Sequence, residues 1–138
     1  MIRLDTNILA RYYIQDEADG EAQKQHELAK KLIELEQPLM ICKTVLLELE
    51  WVMRGYYSFT VAEIISVFQH LLSLEHVNLE DRASIEQAVA NLALGFDFAD
   101  ALHHASYKAC DSIASFDDKK FAKRAVRLRL DPVVIVPA

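Results

Sequence analysis

An α/β fold built on a parallel sheet is the class this sequence predicts, and three observations carry it. Short apolar runs rich in Ile and Val recur at residues 2–4, 39–42, 76–79, 112–116 and 133–136. Each run is too short to alternate, as expected of strands buried on both faces. Amphipathic stretches of helical period separate them, and strands alternating with helices make βαβ units.

Taken in order, the first strand (2–4) runs into the polar string Asp5-Thr6-Asn7. Residues 21–36 then place Ala22, Leu28, Ala29, Leu32, Ile33 and Leu35 at helical spacing. After the second strand (39–42), Thr44 is a candidate N-cap for a helix carrying Glu48, and Gly55 is a candidate helix end. Residues 60–72 form the next helix. They open with Thr60-Val61-Ala62-Glu63, the pattern of a capping box, and put Val61, Ile64, Ile65, Phe68, Leu71 and Leu72 on one face. The third strand (76–79) leads through Asp81, a candidate N-cap, to a helix over 82–94 that ends at Gly95. Asp97 opens a further helix, the fourth strand (112–116) runs into Asp117-Asp118, and the fifth (133–136) closes the chain. No repeat or linker interrupts this order.

Length and composition bound the function. The 138 residues predict a single domain over 1–138, large enough to bury a core unaided. Hydrophobic residues make up 52%, which excludes a disordered chain. Cys42 and Cys110 are the two cysteines, too few for a disulfide framework or a zinc site, and they point to a reducing, cytoplasmic setting. No apolar run reaches about 18 residues, so no membrane span is expected. The opening Met1-Ile2-Arg3-Leu4-Asp5 is not that of a signal peptide, because Asp5 interrupts any apolar core. Acidic side chains outnumber basic ones 21 to 15, net −6. That balance argues against a general electrostatic binder of nucleic acid. It leaves room for an enzyme that meets phosphates through a metal ion held by carboxylates.

Ligands of open parallel sheets bind beyond the carboxyl ends of the strands. Asp5 and Asp117 follow strands, Asp97 and Asp100 open a helix, and Glu48 lies one turn into another. Grouped carboxylates repel unless a cation or a shared proton intervenes, and Mg²⁺ or Mn²⁺ suits an all-oxygen set. Several of these acids also fit plain structural roles. Asp5 suits a turn, Asp97 reads as an N-cap with Asp100 at the third helical position, and one of Asp117 and Asp118 caps the helix that follows. Asp117, nearer the strand end, is the expected ligand and Asp118 the expected cap. At about 100° per residue, Glu48 falls within roughly 60° of Val45 and Val52, beside the buried face. Glu50 is expected to face solvent and pair with Arg54 four residues on.

These residues together resemble the PIN-domain nucleases, and most closely the VapC-type toxins of bacterial toxin–antitoxin pairs. The strings that carry the resemblance are Leu4-Asp5-Thr6-Asn7-Ile8-Leu9, Glu48 with Trp51, Asp97-Phe98-Ala99-Asp100-Ala101-Leu102-His103, and Ser115-Phe116-Asp117. Ser115 stands where Thr is commoner and keeps the hydroxyl. The resemblance implies a PIN-like three-layer sandwich with a five-stranded parallel sheet, order 3-2-1-4-5, flanked by helices. In that order Asp5 and Asp117 flank the point where the winding reverses. It implies a metal-dependent endoribonuclease in which Asp5, Asp100 and Asp117 bind Mg²⁺ or Mn²⁺ and Glu48 either ligates the ion or orients the attacking water. Asn7 and Ser115 would support these groups, and one or two ions are compatible with the set. It further implies an RNA substrate, a cognate antitoxin protein and a homodimer.

The remaining features are secondary. Residues 119–129 hold Lys119, Lys120, Lys123, Arg124, Arg127 and Arg129 with no acid. Lys120, Lys123 and Arg124 are candidate RNA contacts, with Arg127 expected on the same helix face. His103 and His104 read as surface or packing residues, and Trp51, Tyr56, Tyr57 and Phe59 as core or interface packing rather than base-stacking residues. Tyr12, Tyr13, Trp51 and Met53 are candidates for a protein interface. A phospho-receiver would need adjacent acids after the first strand and a Lys after the last, and a haloacid-dehalogenase-like phosphatase would need Asp where Asn7 stands. The competing reading from another class is a non-catalytic PIN-fold scaffold that binds RNA or protein.

Overall fold

A computed structural model describes residues 1–16 and 18–137, apart from the side chains of residues 118 and 119. The chain divides into two compact units, Met1–Arg82 and Ala83–Ala138. No helix among the described residues is long and apolar enough to cross a membrane.

The first unit holds β1 (Ile2–Arg3), α1 (Thr6–Tyr13), α2 (Gly20–Glu34), β2 (Leu39–Ile41), α3 (Lys43–Trp51), a π-helical turn (Val52–Tyr56), α4 (Val61–Ser73) and β3 (Val77–Leu79). Its three strands form a parallel sheet in the order β1-β2-β3, with Ile2 opposite Leu39 and Leu39 opposite Val77. Leu4, Leu9, Ile33, Leu39, Ile41, Leu49, Met53 and Phe68 are its buried centre. The Thr60–Glu63 capping box forms in both directions, at 3.2 and 2.9 Å, and starts α4 where expected.

Several local expectations are corrected here. Thr44 is not a cap, because α3 begins at Lys43 behind Cys42, which makes no side-chain cap bond. The Lys43 N–H is satisfied from elsewhere, by Glu80 Oε1 at 2.8 Å, a partner 37 residues away that local pattern cannot reveal. Asp81, by contrast, directly precedes the helix that starts at Arg82, the place expected of its cap; its backbone is left-handed (φ 52°) and its carboxylate accepts from Lys43 Nζ at 3.2 Å. Gly55 lies inside the π-helical turn rather than after a helix end. Met53 is fully buried and therefore no interface residue, whereas Trp51, Tyr56 and Tyr57 are exposed rather than core.

The second unit contains α5 (Arg82–Ala93, starting at the boundary), α6 (Phe98–Ser106), β4 (Ser112–Ala114), a π-helical turn (Asp118–Ala122), α7 (Lys123–Arg127) and β5 (Val133–Ile135). β4 and β5 pair in parallel, with Ser112 opposite Val133. Phe96 packs edge-on against Phe121 at 6.0 Å, beside buried Leu92, Phe98 and Ala101. Gly95 ends α5 in a left-handed conformation (φ 97°). Its N–H bonds Leu92 O and the Phe96 N–H bonds Asn91 O, both at 3.0 Å, the paired closure of a Schellman motif.

The five expected strands are all present within a residue or two. They are hydrogen-bonded among the described residues as a three-stranded and a two-stranded sheet, not as one five-stranded sheet of order 3-2-1-4-5. β1 is only two residues long, and its ladder with β2 is correspondingly brief.

Candidate functional site

In the first unit the chain leaves β1 and turns at once into α1. Asp5 makes that turn: its backbone is extended and its Oδ1 accepts from the Thr6 N–H at 2.8 Å, which satisfies one donor at the helix start. Thr6, the first helical residue, is buried, and its hydroxyl donates to Glu48 Oε2 at 3.2 Å. That bond ties α3 to the start of α1 across 42 residues of sequence. Asp5, Thr6, Asn7 and Glu48 border one cavity of about 470 Å³, together with Arg11 and Tyr57. Asp5, Asn7 and Glu48 are exposed, so both carboxylates keep their water. Sequence reasoning missed Thr6, although a hydroxyl between Asp5 and Asn7 at a helix start is a signal for it.

The two glutamates of α3 exchange environments relative to expectation. Glu50 is 4% exposed, and Glu48 is the exposed one. The ion pair with Arg54 is present, with Nε to Oε2 at 2.8 Å. The buried positions are Leu46, Leu49, Glu50 and Met53, a stripe at i, i+3, i+4 and i+7. Trp51, about 60° from Glu48 around the helix, is more than half exposed, so an apolar residue on that side does not mark the buried face. Glu48 thus reaches its place through Thr6 and not by lying beside the core.

In the second unit, Asp97 caps α6 by accepting from the Ala99 N–H at 3.4 Å. Asp100 follows at the third helical position, half-buried. Burial holds its carboxyl above the usual range, and the negative charges of Asp97 and Asp117 add to that, while His103 and Arg124 oppose it. Asp100 and Asp117 are therefore brought within electrostatic reach of each other. The Ser115 hydroxyl accepts from the Asp117 N–H at 3.1 Å, and Asp117 Oδ1 accepts from the Lys120 N–H at 3.0 Å. Asp117 is thus the cap of the π-helical turn, because it is the residue flanking the first turn. Asp118, the expected cap, has a side chain outside the described residues. Of the histidines, His103 is exposed, while His104 is buried, bonded to Pro132 O at 2.7 Å and packed on Phe121.

The basic segment also differs from the uniform helical stripe expected. Its first part is π-helical, so Lys120 is out of phase with α7. Lys123, Arg124 and Arg127 border a groove of about 700 Å³ walled by Val126, Val134 and Val136, and Lys120 is not among its lining residues. The side chain of Lys119 is outside the described residues.

Among the described residues no group of three or more His, Cys, Asp or Glu side chains is close enough to hold a metal ion by itself. Each unit instead supplies two acids, Asp5 with Glu48 and Asp100 with Asp117. Mg²⁺ commonly takes one or two carboxylates and completes its shell with water and phosphate oxygens, so the donor chemistry of these pairs fits such an ion.

Comparison with family models matches residues 2–127 to the PIN domain. No curated protein and no solved structure matches the chain.

Proposed function

The chain belongs to the PIN-domain family, generally a nuclease fold, and from that premise we propose a metal-dependent endoribonuclease that hydrolyses RNA phosphodiester bonds. The observation that carries this reading is the cavity bordered by both Asp5 and Glu48, with Glu48 held by the Thr6 hydroxyl. Asp5, Glu48, Asp100 and Asp117 are the proposed catalytic acids. Mg²⁺ or Mn²⁺ held by them would relieve charge at the phosphate and make water nucleophilic near neutral pH.

The chain's own groups divide the remaining work. Thr6 fixes one oxygen of Glu48 and leaves the other to a ligand or to the attacking water. Ser115 holds the backbone at Asp117, and Asn7 borders the Asp5 cavity as a polar support. Lys123 and Arg124, with Lys120, are the proposed phosphate contacts. The finer biological reading is a VapC-type toxin, acting as a single cytoplasmic domain with an antitoxin protein and a second copy as partners. What supports it is the order and spacing of Asp5-Thr6-Asn7, Glu48, Asp97 to His103 and Ser115 to Asp117.

The competing reading is a non-catalytic scaffold that binds RNA or protein. One experiment separates them. RNA is incubated with the wild type in Mg²⁺, in EDTA, and with Asp5→Asn and Glu48→Gln. Cleavage in Mg²⁺ alone, lost in both variants, is expected. Cleavage that persists in EDTA or in Asp5→Asn removes the mechanism. No cleavage, and no rise in melting temperature with Mn²⁺, leaves the scaffold.

A further inference from the structure

Among the described residues that border the cavity of Asp5 and Glu48, one is basic, Arg11. It lies on α1 four positions after Asn7, about 6 Å along the helix axis, so the two share a face. Its guanidinium carries five N–H donors in a planar fork. One of them is spent, because Nε donates to Gln25 Oε1 on α2 at 2.8 Å. Among the described residues the guanidinium makes no other hydrogen bond and no ion pair, although Asp5 and Glu48 border the same cavity.

Gln25 orients that guanidinium. It borders the same cavity, and its own Nε2 donates to Glu21 Oε1 at 3.4 Å, one turn back on α2. The amide is thereby bonded on both sides, with its oxygen toward Arg11. An amide directs the guanidinium without neutralising it, whereas a carboxylate in that place would cancel its charge. Four N–H donors on Nη1 and Nη2 are left for a ligand, and two of them in parallel match two oxygens of one phosphate. The chain carries net −6, and two acids repel a polyanion until a cation binds them, so a local positive charge favours entry of a strand into this cavity.

We propose that Arg11 is a phosphate-binding residue of this site, oriented by Gln25, and that its ligand is a backbone phosphate of the RNA strand. The choice of an RNA phosphate over another anion rests on the ribonuclease reading. Arg11 is then a substrate contact, and Gln25, which acts through it, is a positioning residue.

The test follows binding apart from cleavage. A fluorescently labelled single-stranded RNA is titrated with the full chain in EDTA over a series of salt concentrations, and anisotropy is read. Wild type is compared with Arg11→Gln, Arg11→Lys, Gln25→Ala and the double variant Arg11→Gln, Gln25→Ala. Arg11→Gln is expected to weaken binding roughly tenfold and to flatten the slope of log K against log salt by about 0.7, the share of one phosphate on a single strand. Arg11→Lys keeps the charge and is expected to keep the slope, while losing part of the affinity with the fork. Gln25 is exposed on a helix, where Ala is well tolerated. Gln25→Ala is expected to weaken binding several-fold in the wild type and not at all in the Arg11→Gln background. An unchanged slope in Arg11→Gln, or no measurable binding by the wild type, overturns the phosphate contact. A lower melting temperature with that unchanged slope would make Arg11 only a tether between α1 and α2. An equal effect of Gln25→Ala in both backgrounds overturns its positioning role. Each of these results leaves the Asp5→Asn cleavage test untouched, and loss of the ribonuclease reading there leaves the anisotropy interpretable.

Discussion

Removing the partner of a buried charge costs more than removing an exposed one, and Glu50 with Arg54 measures the difference. The Glu50 side chain is 6% exposed and that of Arg54 is 52% exposed, so desolvation falls almost wholly on the carboxylate. Breaking a fully buried pair costs about 3–5 kcal/mol, and an exposed pair about 0–1. Arg54→Met keeps the aliphatic stem and removes the charge. With one partner half in water the expected cost is about 2 kcal/mol, intermediate between those limits. For a chain of this length that lowers the melting temperature by about 6–10 °C. The double variant Glu50→Met, Arg54→Met removes the stranded charge as well and is expected to recover most of the loss. Urea unfolding of the two single variants and the double gives the coupling directly. An Arg54→Met loss below about 0.5 kcal/mol would mean that water reaches Glu50 in solution, and the assignment of the buried face of α3 would be wrong.

Two further outcomes follow from local geometry. Asp100 has a raised carboxyl, so between its ordinary value and the raised one the folded protein binds more protons than the unfolded chain; stability therefore falls as pH rises through that window. In metal-free melts from about pH 3 to 7, Asp100→Asn should lose this slope and melt higher than wild type at pH 7, and identical slopes would refute the crowding of Asp100 by Asp97 and Asp117. Gly95→Ala forces a Cβ into the left-handed region at φ 97°, with nothing within 4 Å to clash, so the loss is backbone strain alone; about 1 kcal/mol is expected in thermal or urea unfolding, and no loss would mean the α5 end adjusts freely.

What was legible in advance came from interactions within a few residues. The Thr60–Glu63 box and the Gly95 closure each involve partners at most five positions apart, so their residue types announce them. The Asp97 cap is of the same kind. Strand positions were legible because Ile and Val favour extended backbone and gather there, although Ile2, Val133 and Ile135 are exposed rather than buried. Charge placement on a helix was less so. Glu48 and Glu50 are two residues apart, and an average over apolar neighbours cannot tell which of those neighbours is itself exposed, as Trp51 is.

The order of elements, the helix starts with local caps and the acids that follow strands were determined by the sequence itself, because backbone hydrogen bonding and hydrophobic periodicity act over one or two turns. Tertiary structure alone decided that Thr6 holds Glu48, that Glu80 caps α3, that Glu50 is buried and that the strands pair as a three-stranded and a two-stranded sheet. Such outcomes depend on which groups remain to be desolvated or satisfied once distant segments pack, and no short window of residues contains that information.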